Sequence, residues 1–128
     1  MNELNNLEKI INSELTSKII RSEIKHDQIL ITIDENNLIE VLLFLKTNSV
    51  TKFKQLIEVT AVDYPEKEQR FRMVYFLLSH ENNSRIVIDY YIKENKIVPS
   101  ITNIFPSANW MEREVLICME LNLKTIQI

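Results

Sequence analysis

Two histidines, one cysteine and a scatter of carboxylates are the residues of this chain that could do chemistry. His26 falls in the charged turn Lys25-His26-Asp27, and His80 follows an apolar run that ends at Ser79. The two lie too far apart in sequence to share the spacing of a metal-ligand pair. Ser79, His80 and Asp89 have the side chains of a nucleophilic triad. Around Ser79, however, the chain has neither the sharp elbow nor the oxyanion donors that such a serine needs. Asp63, Glu66 and Glu68 crowd one short loop. A loop that chelates a hard cation adds alternating oxygen ligands and a glycine turn, and this chain contains no glycine. The single cysteine, Cys118, excludes an internal disulfide and a cysteine-held cluster within the chain, and its place on an apolar helix face reads as packing. No catalytic, cofactor-binding or metal-ligating residue emerges from this set.

What remains is chemistry of recognition, concentrated between Val98 and Met119 in VPSITNIFPSANWMEREVLICM. Pro99 and Pro106 remove backbone donors and push the residues before them out of the helical region, so Ser100 to Phe105 can form at most a short turn. A helix then begins with Ser107 or Asn109 as N-cap, and Asn109 with Glu112 three residues on fits a capping box. Met111, Val115, Cys118 and Met119 recur on one apolar face. Trp110 opens the helix as a core anchor or an interface hot spot. Glu112, Arg113 and Glu114 lie off the apolar face, as solvated surface charges or as a charge pattern that sets register with a partner.

The elements that must position this stretch read as follows. Residues 3 to 15 carry Leu4, Leu7, Ile11 and Leu15 at helical spacing. Ile19 to Ile24 and Gln28 to Ile33 alternate as a hairpin. Asp34 caps a second helix reaching Thr47, with Leu38, Val41, Leu42 and Leu45 as its buried stripe. Phe53 to Val62 is a strand with Ile57, Val59 and Ala61 on one face, running into the turn Asp63-Tyr64-Pro65. Phe71 to Ser79 and Arg85 to Ile92 form a second hairpin, apolar on nearly both faces, as in central strands covered on each side. The order α, β, β, α, β, β, β, α predicts an α+β fold, helices packed on a mixed or antiparallel sheet in a single-domain sandwich spanning residues 1–128.

Composition narrows the class. The chain has 128 residues, 45% hydrophobic and 26% charged, as in an ordinary globular domain. A net charge of −3 argues against a nucleic-acid binder. No apolar run approaches the ~20 residues of a membrane span. The N-terminus, with Glu3, Glu8 and Glu14 before its first arginine, reads as neither a secretory nor a transit peptide. Without glycine, backbone positions of positive φ fall to other residues, Asn being the least costly. Richness in Asn, Ile and Lys fits A+T-biased coding DNA, as in many organelle genomes and some bacteria.

Two motifs, VTAVDYPEKEQRFRMVYFLLS and VPSITNIFPSANWMEREV, together spanning roughly residues 56 to 115, resemble the 30 kDa (C) subunit family of respiratory complex I, the proton-pumping NADH:ubiquinone oxidoreductase. The resemblance implies a structural subunit of the hydrophilic peripheral arm that binds no flavin, cluster or quinone itself. The parent complex uses FMN, iron–sulfur clusters, NADH and ubiquinone. It further implies packing against other peripheral-arm subunits, chiefly the 49 kDa quinone-site subunit, through Pro106, Asn109, Trp110, Glu112, Arg113, Glu114 and the turn Asp63, Tyr64, Pro65. No nucleic acid and no direct membrane insertion are implied. The location follows as the matrix side of the mitochondrial inner membrane, or the cytoplasmic face of a bacterial one. The chain departs from the family after Val115, reading LICMELNLKTIQI where an arginine-rich arm usually follows. A related membrane-bound hydrogenase, or a free-standing adaptor or RNA-binding module, are the rival readings.

Overall fold

In the computed structural model, which describes residues 2–93, 97–119 and 122–124, the apolar alternation is clearest in two central strands. Phe71, Met73, Tyr75 and Leu77 of β4 (Phe71–Ser79) point to the same side as Ile86, Ile88, Tyr90 and Ile92 of β5 (Ser84–Ile92). All eight are at most 4% exposed. Successive side chains of a strand face opposite ways, so this register commits one face of the sheet to the core. β3 (Gln55–Asp63) pairs antiparallel with β4, and β2 (Gln28–Ile33) pairs parallel with β5. β1 (Ile19–Lys25) closes the far edge against β2, giving the order β1-β2-β5-β4-β3.

Helices cover the core face. α1 (Asn2–Glu14) buries Leu4, Leu7 and Ile11, and Leu15 just beyond it is buried too. α2 (Leu38–Thr47) sinks Leu38, Val41, Leu42 and Leu45 completely, all at 0% exposure. Burial of each such side chain stabilises by about 1.5–3 kcal/mol, so this stripe alone anchors α2. α3 (Ala108–Met119) adds Ala108 and Val115, with Met111 packed beside them, to the same cluster. The α+β architecture, three helices on a five-stranded mixed sheet, follows the element order expected from the sequence.

The structure departs from the sequence reading in several places. Asp34 does cap, its Oδ1 accepting the Asn36 N–H at 2.9 Å, but the turn it starts is a 3₁₀ turn, Glu35–Asn37, and α2 begins only at Leu38. Ile57, expected beside Val59 and Ala61, lies outside at 40% exposure. A register shift between Leu56 and Glu58 is the reason: the extra residue puts Leu56 on the core face in its place. The second face of β4 and β5 carries Val74, Phe76 and Val87, and Val74 and Val87 are buried there, although the apolar stripes of the described helices join the cluster on the opposite side. A short parallel pair, β6 (Ile97–Pro99) with β7 (Asn122–Lys124), has no counterpart in the sequence reading. The packing expected of Cys118 and Met119 falls on side chains outside those described.

Turns are made without glycine. His26 and Asp27 take φ of 54° and 60°, the two positive angles that a tight hairpin between Lys25 and Gln28 requires. Lys52 and Asn83 also have positive φ, so only one of these four positions uses asparagine.

Candidate subunit interface

The corner before α3 is built from the inside out. Ile101, Ile104 and Phe105 are buried and close one turn, the N–H groups of Ile104 and Phe105 both donating to the Ile101 carbonyl at 3.0 and 2.8 Å. α2 holds this turn: the Lys46 ammonium donates to the Ile104 carbonyl and lies over the Phe105 ring, 5.4 Å from its centre. Pro106 and Ser107 are exposed, and α3 starts at Ala108.

Glu112 then turns inward. Its carboxylate accepts the Ser100 hydroxyl and the Ile101 backbone N–H, each at 2.8 Å, and the residue is only 3% exposed. Burial pushes its carboxyl above the usual glutamate range, opposed by the two hydrogen bonds it accepts. The capping box expected with Asn109 is thus not made. Asn109 donates its N–H to the Pro106 carbonyl at 3.2 Å, and Glu112 instead serves a buried amide.

With Ala108, Glu112 and Val115 buried, helical geometry sends the other side outward. Asn109 and Arg113, and Trp110 and Glu114, are i,i+4 neighbours, and all four are exposed. Trp110 is 67% exposed, the indole standing in solvent on the outer face of the first helical turn. It is no core anchor.

The turn Asp63-Tyr64-Pro65 is tied to its own loop. Asp63 accepts Nε and Nη2 of Arg70 at 2.6 and 2.9 Å, and this fork holds its carboxyl below the usual aspartate range. The Tyr64 N–H donates to the Arg70 carbonyl at 2.7 Å, and the Lys67 ammonium sits over the Tyr64 ring. Pro65 is exposed. α3 meets β3 further down the strand, where residues 57–61 face Met111, Glu114 and Val115 across a groove of about 530 Å³.

The triad types are dispersed. Ser79 accepts the Asn82 N–H and side-chain amide, and His80 meets Gln55. Asp89 lies on the other face of the sheet, accepting Thr32 and Arg72 at 2.6 Å each. No local signal in the sequence marks that ion pair, because Thr32, Arg72 and Asp89 come from three strands. Among the described residues no cluster of three or more His, Cys, Asp or Glu side chains could hold a metal ion, and no helix is long and apolar enough to cross a membrane.

Residues 31–120 match the family model described as the respiratory-chain NADH dehydrogenase 30 kDa subunit. The C subunit of NADH-quinone oxidoreductase from Dinoroseobacter shibae is 48% identical over 97 residues, 76% of this chain and 45% of the relative. The Rhodospirillum rubrum protein of the same name is 38% identical over 81% of this chain and 49% of its own length. A mitochondrial relative, NADH dehydrogenase (ubiquinone) iron-sulfur protein 3 of Candida albicans, is 47% identical over 69% of this chain and 32% of its own. The chain spans about half the length of the bacterial relatives it matches. The fold is also that of a chain in the membrane-bound sulfane sulfur reductase, an archaeal respiratory membrane complex, with a TM-score of 0.82 at 18% identity over 94% of this chain and 69% of that one.

Proposed function

Because this chain belongs to the family of the 30 kDa subunit of respiratory-chain NADH dehydrogenase, we propose that it is a structural and assembly subunit in the peripheral arm of NADH:quinone oxidoreductase. In this role it holds no redox centre; FMN, the iron–sulfur clusters, NADH and quinone are bound by other subunits of the complex. The observation that carries the reading is the outer face of α3. An indole at 67% exposure beside Arg113 and Glu114 has the composition of an interface hot spot rather than of a solvated surface. The partner we assign to it is the large 49 kDa quinone-site subunit.

The turn at Asp63, Tyr64 and Pro65 is the second proposed contact, rigid through the Asp63–Arg70 fork. The chain reaches its membrane through these partners, on the matrix side of the mitochondrial inner membrane or the cytoplasmic face of a bacterial one. Relatives of both origins match it.

Native-gel fractionation of membranes carrying the tagged chain tests the reading. Co-migration with a very large NADH dehydrogenase activity is the expected result. Migration as a small free protein, or with a hydrogenase, overturns it.

A further inference from the structure

Among the described residues β3 is the last strand in the sheet order, paired with β4 on one side only. It is nine residues long, against a mean of about 5–6 for strands. The groove beside α3 touches five consecutive residues of it, 57 to 61. Consecutive strand residues face opposite sides of a sheet, so a groove that reaches all five runs along the strand's edge and not across a face. Edges of this kind present unpaired backbone N–H and C=O groups.

α3 lies beside this edge as the far wall of the groove, and the other edge has a helix of its own. β1 has α1 packed against it, and Ser22 donates to Glu8 of that helix at 2.7 Å. On β3 the bulge turns an apolar side chain, Ile57, out into the groove. Beside it stand two exposed carboxylates, Glu58 on the strand and Glu114 on the helix wall, and the described ion pairs include neither.

We propose that the β3 edge is a strand-addition site, which takes an extended basic segment of a partner protein with apolar residues at alternate positions. Backbone pairing to residues 57–61 supplies affinity over about 17 Å of chain, at 3.4 Å per residue. The apolar side chains of the segment meet Ile57, Met111 and Val115, and its cations meet Glu58 and Glu114. An acidic segment is refused by the same two carboxylates. The site goes beyond the outer face of α3: it shares Glu114 with that face and otherwise uses Met111 and Val115 on the strand-facing side of the helix.

The test uses the full chain and two blocked ten-residue peptides, one alternating Val and Lys, the other Val and Glu, at low salt. Backbone amide exchange is followed residue by residue. The Val-Lys peptide is expected to slow exchange within residues 57–61 saturably, leaving β1 unchanged, with the Val-Glu peptide at least about tenfold weaker. The double variant Glu58→Lys/Glu114→Lys should reverse that preference, its slow-exchanging β4 and β5 amides reporting an intact fold. Protection at β1 or nowhere, equal binding of both peptides, or a preference unchanged in a folded double variant each overturns the proposal. Because the isolated chain is used, this result is independent of whether the chain co-migrates with any respiratory complex.

Discussion

The Glu112 carboxylate accepts the Ile101 backbone N–H at 2.8 Å, across eleven positions of sequence, and so ties the first turns of α3 to the turn that precedes it. Ser100 shares the same carboxylate. One buried acidic side chain therefore sets the direction in which α3 leaves the core, and with it the direction of the exposed Trp110.

That tie is pH-dependent, and its sign is defined. The native carboxyl of Glu112 is raised by burial, so the folded state holds its proton more tightly than the unfolded state. Stability then falls as pH rises from the ordinary glutamate value of about 4.3 through the raised native value, and levels off above it. Asp63 acts in a separate window: its lowered carboxyl stabilises the fold above about pH 3.9, and that contribution is lost as pH falls further. Urea midpoints between pH 4 and 8 should show the decline in the natural chain and not in Glu112→Gln. Identical profiles would show that Glu112 does not titrate differently in the two states.

Tyr75 and Tyr90 stack 5.9 Å apart in the core, their hydroxyls 3.1 Å from each other. Burial raises both phenols above their usual range. Tyr75→Phe or Tyr90→Phe alone leaves the other hydroxyl buried without its partner, a loss of about 1–3 kcal/mol. The double variant removes both polar groups and should be more stable than either single one. Denaturant unfolding of the four proteins completes the cycle; a double variant worse than both singles would contradict the pairing.

At the outer face of α3 the expected effects separate folding from assembly. Trp110→Ala and Arg113→Glu alter exposed side chains and should change unfolding free energy by no more than about 0.5 kcal/mol. Both should weaken incorporation into the respiratory complex, Trp110→Ala by about 2 kcal/mol, roughly thirtyfold in affinity. Unchanged assembly and unchanged NADH:quinone activity in both variants would place the interface elsewhere.

Lys52 has a φ of 47°, a left-handed angle that a long side chain with a Cβ tolerates poorly. It follows the turn in which Asn48 Oδ1 accepts the N–H groups of Val50 and Thr51. Lys52→Gly should therefore raise stability by about 0.5–1 kcal/mol, the relief of the angle exceeding glycine's entropic cost. A lower melting temperature for that variant would show that the lysine stem contributes more packing than its angle costs.

The fold is legible wherever the signal is local and periodic. The stripes Leu4-Leu7-Ile11-Leu15 and Leu38-Val41-Leu42-Leu45 are buried as helical spacing requires. What periodicity does not show are events that break it or come from afar. The bulge at Leu56/Glu58 inverts the facing of Ile57, and nothing in the residue types there announces an extra residue. Glu112 fits a capping box by spacing alone, yet its hydrogen bonds go to residues eleven and twelve positions back. The exposure of Trp110 follows only once the inward turn of Glu112 is known. The groove at β3 is a product of sheet order, which no single stretch of sequence encodes.

Sheet order also decides when this chain can fold. β3, β4 and β5 follow one another in sequence and pair as neighbours, and β1 with β2 makes a second local unit. Joining the two depends on the parallel pairing of β2 with β5, where Thr32 and Asp89 meet across 57 positions. Contacts so distant in sequence form slowly, because the intervening loop must close before they are gained. On the ribosome, the β1–β2 hairpin and its two helices wait until residue 92 has emerged, with Ile29, Ile31 and Ile33 still in search of their sheet. The newborn chain is most in need of protection during that interval.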